Sequence, residues 1–169
     1  RIMKVYFAAD HAGFELKGEL MNFVRGELGH DVVDCGNSIP DPNDDYPQFM
    51  GQAAAFLSKD SGQGIDSRAV LIGASGQGEA MVANRFPNVR AAVFYGQPGG
   101  MQVDASGVHL DLLRSTRMHN NANALAIGAR FVSKEEAKDA VRIWLTTPFS
   151  SEERHRRRVQ AIERYPTHD

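Results

Sequence analysis

Short apolar runs alternate with segments of helical periodicity along this chain. Five of the apolar runs have the length of buried strands, and between them apolar positions recur every three or four residues. Near-continuous apolar strands that alternate with helices form parallel sheets covered on both faces, so the pattern predicts an α/β fold. The predicted strands are residues 5–9, 31–34, 68–72, 90–95 and 124–127, and the predicted helices are residues 15–27, 48–57, 79–85, 110–118, 134–145 and 150–165.

Polar residues mark the boundaries of two of these elements. Residues 37–47 are rich in Asp, Pro and Asn, which is typical of a loop. Ser150 and Ser151 precede a pair of glutamates, and we expect one of the two serines to be the N-cap of the last helix.

The most informative segment is residues 69–79, with the sequence A-V-L-I-G-A-S-G-Q-G-E. A predicted buried strand continues into a glycine-rich turn, and the turn opens a predicted helix. Gly76 and Gly78 let the backbone bend tightly and present N–H groups to an anion at the helix N-terminus. Ser75 adds a hydroxyl group and Glu79 adds a carboxylate at the rim. This combination suits proton abstraction next to a carbonyl, because the donors can hold the resulting oxyanion.

Three known motifs fit this turn poorly. A mononucleotide P-loop requires a lysine that the turn lacks. A lipase-type nucleophile elbow fails because Gln77 stands where its second glycine belongs. A dinucleotide fingerprint reads G-x-G-x-x-G after the first strand, whereas this turn reads G-x-x-G-x-G after the third. A turn that is glycine-rich for steric reasons alone stays open as an alternative.

Other polar residues lie near the ends of predicted strands, where parallel α/β sheets bind their ligands. Asp10 and His11 follow the first strand, although an aspartate at a strand end also serves as a helix cap. Arg130 follows the fifth strand. His119 precedes that strand, and a histidine that titrates near neutrality suits general acid catalysis of sugar-ring opening. A structural role is the alternative for a lone histidine.

The run R-H-R-R-R at residues 154–158 is the strongest charge cluster. Arg154 and Arg158 lie four positions apart in the sequence and therefore project from one face of a helix. Two guanidinium groups on one face suit a phosphate dianion, and Arg130 can converge on the same anion. A solvated helix face is the alternative. RNA binding is disfavoured, because the net charge is −2 and the chain shows no aromatic stacking platform.

Composition limits the remaining classes of function. A length of 169 residues predicts one domain, covering residues 1–169, that buries a core without disulfides or metal. The single cysteine, Cys35, fits a reducing compartment, and no apolar run is long enough for a bilayer. We therefore expect a cytoplasmic protein without nucleic-acid or membrane partners. The histidines show no metal-ligand spacing, so we predict chemistry without a metal or any other cofactor.

An ordered set of motifs resembles one enzyme family. The set is A-A-D-H-A-G-F-E-L-K at 8–17, D-D-Y-P at 44–47, G-A-S-G-Q-G-E at 73–79, H-N-N at 119–121, G-A-R at 128–130 and R-H-R-R-R at 154–158. These motifs are similar to those of the type B ribose-5-phosphate isomerase family, which includes the galactose-6-phosphate isomerase subunits. The match extends from about residue 3 to residue 165.

The resemblance implies an aldose–ketose isomerase that opens the sugar ring and moves a proton between C1 and C2 through an enediolate. It also implies a Rossmann-like α/β/α sandwich and homodimers in which each active site draws on both subunits. By position, the resemblance implies that Asp10 and His119 assist ring opening, and that Ser75 and the amides of Gly76 to Gly78 bind the enediolate. It implies phosphate binding by His11, Arg130, Arg154 and Arg158. Tyr46 and Asn120 would contact the sugar.

Two departures from the family pattern bear on the mechanism. Many members place a cysteine base at the position of Gly73, whereas this chain resembles the branch in which a glutamate after the turn, here Glu79, is the base. An unperturbed glutamate has a pKa of ~4.3 and is ionised at neutral pH without tuning. Residues 96–108 lengthen a connection that is shorter in the family. We expect them to form a glycine-rich surface loop that could overhang the neighbouring site.

The first substrates that the resemblance implies are ribose 5-phosphate and ribulose 5-phosphate, as in the pentose phosphate pathway. A tetrose 4-phosphate or a hexose 6-phosphate is an alternative, because the sequence does not give the depth of the pocket. A non-catalytic nucleotide- or phosphosugar-binding module on the same fold is a further alternative, since fold alone does not define function. The pairing of dimers into tetramers is left open.

Overall fold

Five parallel strands form the central sheet of the protein. The computed structural model describes residues 1–100 and 103–165. The strands are β1 (Lys4–Ala9), β2 (Asp31–Asp34), β3 (Arg68–Gly73), β4 (Ala91–Phe94) and β5 (Ala124–Gly128). Their spatial order is β2–β1–β3–β5–β4. The predicted α/β fold with a parallel sheet is confirmed, and every strand lies within one residue of its predicted bounds.

Helices connect the strands and cover both faces of the sheet. They are α1 (Phe14–Gly26), α2 (Tyr46–Gly62), α3 (Gln77–Ala83), α4 (Leu112–Met118), α5 (Lys134–Thr146) and α6 (Glu153–Ile162), and a 3-10 turn (His11–Gly13) precedes α1. Helix α2 begins before its predicted start, because Pro47 in its first turn has the fixed φ of a helix and needs no hydrogen-bond partner for its nitrogen.

The predicted serine cap of the last helix is wrong. Glu152 occupies the N-cap position of α6, and its side chain makes no capping hydrogen bond. The Ser150 hydroxyl instead lies 2.8 Å from Nδ1 of His155. A contact with a side chain of the helix has therefore replaced the cap that the sequence pattern favoured.

Each face of the sheet has its own hydrophobic core, because successive strand residues point to opposite faces. One core joins Phe7 and Ile127 to the buried Trp144 of α5. The other contains several strand alanines and packs against Met50 and Leu57 of α2. These two cores define a three-layer α/β/α sandwich, and the small side chains on the second face allow α2 and α3 to approach the sheet closely.

The strand order changes direction between β1 and β3. The chain adds β2 on one side of β1 and every later strand on the other side, so the carboxyl ends of β1 and β3 border a topological switch point. The two ends are in contact: the Asp10 amide lies 3.4 Å from the Ile72 carbonyl oxygen. A Cβ at Gly13 would lie 2.5 Å from the same oxygen. Only glycine allows this approach of the 3-10 turn to β3.

Residues 96–100 and 103–108 connect β4 to α4, and most of them are exposed. One isolated antiparallel bridge joins Val103 to His109. Met101 and Gln102, which belong to the predicted insertion, lie outside the described residues. None of the helices that the structure describes is both long enough and apolar enough to span a membrane.

Candidate active site

The carboxylate of Glu79 is buried against the end of β3. Glu79 lies in the first turn of α3, and only 4% of the residue is exposed. A Cβ at Gly73 would lie 1.8 Å from Oε1 of Glu79. No residue with a side chain fits at position 73 while the carboxylate occupies this place. The Glu79 carboxylate can therefore occupy this place only because residue 73 is a glycine.

The environment of Glu79 changes its acidity. Burial raises the pKa of the Glu79 carboxyl group above its usual value, and the charge of Asp10 raises it further. The backbone amides of Glu79 and Gly76 act in the opposite direction, because they stabilise the ionised form. The ordinary pKa expected from the sequence is therefore wrong, since the sequence does not show that the carboxylate is buried. A raised pKa makes this carboxylate a stronger base.

One amide of the glycine-rich turn is available to a ligand. The first amides of a helix have no partner within the helix. The Gln77 amide donates to the Ser75 hydroxyl at 3.3 Å, and the Glu79 amide stabilises its own carboxylate. The Gly78 amide makes no hydrogen bond to any residue in the described part of the chain. Gly76 has a φ of 80°, a left-handed conformation that glycine favours and that turns the chain into α3.

Tyr46 and Arg130 lie beside this turn, as predicted for site residues. A Cβ at Gly78 would lie 2.5 Å from the hydroxyl oxygen of Tyr46, so the tyrosine packs directly on the glycine. The Arg130 amide donates to the Ala74 carbonyl at 3.2 Å, which fixes the segment after β5 against the turn. The Arg130 side chain is exposed and its charge reaches His11.

Asp10 combines the capping role with a place next to Glu79. Its Oδ1 atom accepts hydrogen bonds from the amides of Ala12 at 2.9 Å and Gly13 at 3.2 Å. The capping alternative is therefore correct. Asp10 is also 7% exposed, and its charge acts on the Glu79 carboxylate. The cap holds Asp10 at the switch point, where a second role remains open to it.

A residue that the sequence analysis did not assign, Asp44, holds His11. Oδ1 of Asp44 lies 2.7 Å from Nδ1 of His11 and 3.2 Å from the His11 backbone nitrogen. The hydrogen bond with Asp44 raises the pKa of the His11 imidazole, and the charge of Asp10 adds to this effect. Asp44 is 33 positions from His11, and its only sequence signal was its place in the D-D-Y-P motif.

Three potential metal ligands meet in this region, which the spacing of the histidines did not predict. Asp10, His11 and Asp44 each offer an atom within 4.8 Å of the others. The sequence spacing missed this group because Asp44 belongs to a distant loop. Oδ1 of Asp10 accepts two amide hydrogen bonds, and Nδ1 of His11 is bonded to Asp44. We therefore assign no metal ligands here.

The predicted site residues form two groups. We call the residues at the carboxyl ends of the strands the turn-side group. It consists of Asp10, His11, Tyr46, Ser75, Gly76, Gly78, Glu79 and Arg130. We call the residues that follow α4 or belong to α6 the helix-side group, which consists of His119, Asn120, Arg154 and Arg158. No hydrogen bond or ion pair within residues 1–100 and 103–165 joins the two groups.

The two groups lie at opposite ends of the parallel strands. His119 and Asn120 precede β5, whereas the turn-side residues follow the strands to which they belong. Strand β5 has 5 residues and spans about 16 Å at ~3.3 Å per residue. Asn120 lines a groove of about 880 Å³, together with Ile162 and Tyr165. Glu79 does not line that groove.

Buried side chains that the sequence analysis did not assign hold the helix-side group in place. His155 is 4% exposed, and its ring packs against that of His119 with 4.3 Å between the centroids. Burial and the charge of His119 lower the pKa of the His155 imidazole. Arg117 donates to the carbonyls of Thr147 at 3.2 Å and Ala122 at 2.5 Å, which fixes the segment around His119.

The single cysteine lies outside both groups. Cys35 is 5% exposed, and burial raises the pKa of its thiol to about 11. The thiol is therefore protonated at neutral pH and is not a nucleophile. Cys35 therefore belongs to the hydrophobic core that packs against α2.

Comparison with known proteins defines the class to which this geometry belongs. The family model described as Ribose/Galactose Isomerase matches residues 5–162. The chain therefore belongs to the ribose/galactose isomerase family and is an isomerase. The family resemblance inferred from the ordered motifs is confirmed.

Individual relatives match over nearly their whole length. The ribose-5-phosphate isomerase B of Mycobacterium tuberculosis (strain H37Rv) is 36% identical over 168 residues, which are 99% of this chain and 93% of the relative. The enzyme of the same name from Escherichia coli K12 is 34% identical over 159 residues, covering 94% of this chain and 93% of the relative. Ribose-5-phosphate isomerase B from Mycoplasma genitalium with bound ribulose-5-phosphate has a TM-score of 0.83 and 30% identity, with full coverage of both chains.

Proposed function

We propose that this protein interconverts ribose 5-phosphate and ribulose 5-phosphate, with Glu79 as the base. The observation that carries the proposal is the buried Glu79 carboxylate, which lies over Gly73. Gly78 directly precedes Glu79 in α3, and its amide makes no hydrogen bond to a described residue. The relatives named ribose-5-phosphate isomerase B and the neighbour that holds ribulose-5-phosphate support this choice of sugar.

The reaction needs one base and one oxyanion site. Glu79 removes the proton from C2 of the open-chain aldose, the released electron pair forms a C1–C2 double bond, and O1 takes the negative charge. The Gly78 amide and the Ser75 hydroxyl stabilise that oxyanion. The hydroxyl proton of O2 moves to O1, and Glu79 returns its proton to C1 to give the ketose. Atoms and electrons balance without a metal or a cofactor.

The other predicted residues act before and around this step. Asp10 and His119 exchange the protons that open the sugar ring, with the histidine as the acid for the ring oxygen. Tyr46, which packs on Gly78, and Asn120 contact the sugar hydroxyls. The phosphate is bound by the cationic residues of the two groups, which are His11, Arg130, Arg154 and Arg158.

A second copy of the chain completes each site. The two groups lie at opposite ends of the strands, about 16 Å apart along a strand. One pentose phosphate therefore cannot contact both groups of a single chain. In a two-fold dimer, each copy supplies its helix-side group to the turn-side group of the other copy. Sedimentation at micromolar concentration tests this. A dimer or a pair of dimers is expected, and a monomer that turns over substrate contradicts the proposal.

The activity is tested by incubating the protein with ribose 5-phosphate in deuterated water and a chelator. We expect ketose that carries deuterium at C1, because the base exchanges its proton with solvent during some turnovers. If the chelator abolished turnover and an added divalent cation restored it, the proposal of metal-free chemistry would be contradicted. Complete absence of turnover, with thermal stabilisation by nucleotides but not by pentose phosphates, would favour a non-catalytic binding module.

The same chemistry on another phosphosugar is the second candidate. The matching family model is described as Ribose/Galactose Isomerase, and Asp104 of the connection between β4 and α4 lies near the helix-side group. The charge of Arg154 acts on Asp104 of this connection, which supports their proximity. A comparison of kcat/KM for four-, five- and six-carbon phosphosugars decides between the candidates, and we expect the highest value for ribose 5-phosphate.

A further inference from the structure

The carboxylate of Asp44 is held by His11 on one side and by Asn37 on the other. Only 5% of the Asp44 side chain is exposed, although the residue belongs to an otherwise exposed loop. Oδ1 faces the backbone nitrogen and Nδ1 of His11, and Oδ2 accepts a hydrogen bond from Nδ2 of Asn37 at 3.0 Å. Both carboxylate oxygens are therefore occupied, and the carboxylate is fixed in one orientation.

The support for Asp44 extends into the core. Asn37 is 2% exposed, and its carbonyl oxygen accepts a hydrogen bond from Nζ of Lys17 at 2.5 Å. Lys17 is equally buried and also contacts Asp34 at 2.7 Å. The two acceptors satisfy the buried ammonium group of Lys17 and hold Asn37 and Asp34 against α1. The chain of contacts from Lys17 through Asn37 to Asp44 therefore transmits the position of α1 to the His11 ring.

We infer that Asp44 is a positioning residue that orients and charges His11 for binding the substrate phosphate. The hydrogen bond at Nδ1 leaves Nε2 as the free donor of the ring, and about a third of the His11 side chain, 35%, is exposed to a ligand. A carboxylate behind the ring favours the imidazolium, which binds a dianion more strongly than neutral imidazole does. The inference deepens the proposed function and depends on it for the identity of the anion.

The charges that act on His11 agree with this role. Asp10 and Asp44 both favour the imidazolium, whereas Arg130 opposes it. Arg130 is also a predicted phosphate ligand, and its charge disfavours the imidazolium form of His11. Asp44 offsets this repulsion and allows the two cations to stay charged near one anion.

The test compares Asp44→Asn with Asp45→Asn, which removes the same charge from the adjacent exposed residue. The side chain of Asp45 makes no capping hydrogen bond. The probe is inorganic phosphate, titrated by calorimetry at pH 6 and at pH 8. We expect Asp44→Asn to weaken phosphate binding about tenfold at pH 8, because the variant loses the carboxylate that orients His11 and favours its imidazolium. The loss should be smaller at pH 6, since an ordinary imidazole is largely protonated there without help from a carboxylate. Asp45→Asn should change neither value appreciably, and Asp44→Glu should restore part of the affinity.

The histidine is observed directly by NMR titration of its ring, with the signal assigned from His11→Gln. In the unmodified protein we expect a pKa above the usual ~6.5, and a fall in Asp44→Asn. A wild-type value at or below the usual one would overturn the inference even if the variant did not fold. Equal phosphate affinities for the two asparagine variants at pH 8 would also overturn it. Both readouts are independent of turnover, so an inactive wild-type protein would refute the proposed function and leave this test decisive.

Discussion

The turn-side and helix-side groups differ in how the fold holds them. Glu79 and Asp10 are 4% and 7% exposed, and the backbone around them is fixed by hydrogen bonds between neighbouring strand ends. Arg154 and Arg158 are exposed on α6, where Arg154 is paired only with the exposed Glu152 among the described residues. The proposed base and oxyanion donors are thus held within one chain, whereas the arginines proposed to bind the phosphate lie on an exposed face of α6. This difference is expected of a site that two copies complete.

The largest expected effect concerns the base. Glu79→Gln keeps the shape of the side chain and removes its basicity, so kcat should fall about a thousandfold, as measured by ketose formation. Glu135→Gln, on the exposed surface of α5, is the matched control and should keep its activity. Because burial raises the Glu79 pKa, ionisation disfavours the folded state, and the glutamine variant should melt at an equal or higher temperature at neutral pH. A kcat within a few-fold of wild type would identify another base.

The next effect tests the dependence between positions 73 and 79. Gly73→Ala places a methyl group 1.8 Å from the present Oε1 position and must displace the carboxylate. We expect kcat to fall about a hundredfold, since a small misplacement of a catalytic group has this effect. Gly18→Ala is the control, because nothing lies within 4 Å of its added Cβ. Equal activity of the two alanine variants would mean that the carboxylate acts from another position.

These two positions show what sequence can provide. The glycine-rich turn, its glutamate and the strand ends were predictable, because apolar runs and glycine spacing determine local backbone structure and neighbouring parallel strands bring their ends together. The partnership of Asp44 with His11 was not, because it joins a loop to a strand end across 33 positions. The raised pKa of Glu79 was also missed, because the burial of its carboxylate depends on tertiary packing.

The motifs alone did not show that the turn-side and helix-side groups lie at opposite ends of the strands. The motifs H-N-N and R-H-R-R-R indicated chemistry and not location. The position of His119 before β5 and the parallel direction of the strands were both predictable, and it is their combination that places His119 at the end of the strands opposite to Glu79. The packing of His155 on His119 had no sequence signal beyond a histidine within an arginine run.

A smaller effect is expected in the helix-side group. Arg158→Ala should raise KM for ribose 5-phosphate about tenfold, because one charge-assisted bond to the phosphate is lost, and it should change kcat little. Arg156→Ala is the control, since Arg156 is equally exposed but lies two positions from both Arg154 and Arg158 and therefore projects from another face of α6. Similar KM values for the two variants would show that α6 contributes only general positive charge.

The smallest expected effect is a displacement of the pH profile. Activity requires ionised Glu79, so kcat/KM should fall as the pH drops through the pKa of this carboxyl group. Burial raises that pKa, and the acid limb should therefore lie above the ~4.3 of an ordinary glutamate. A limb at or below that value, measured from pH 4 upward with a stable protein, would indicate a well-hydrated carboxylate instead of the buried one.

Complementation between inactive variants tests the shared site most directly. Glu79→Gln disables the turn-side group and His119→Gln disables the helix-side group. After subunits of the two variants are exchanged, half of the dimers are mixed, and each mixed dimer contains one intact site. The account predicts recovery of about one quarter of wild-type activity, as expected for a two-fold dimer with shared sites. A mixture that is no more active than its separate components would show that both groups serve a site within one chain, and would contradict the account.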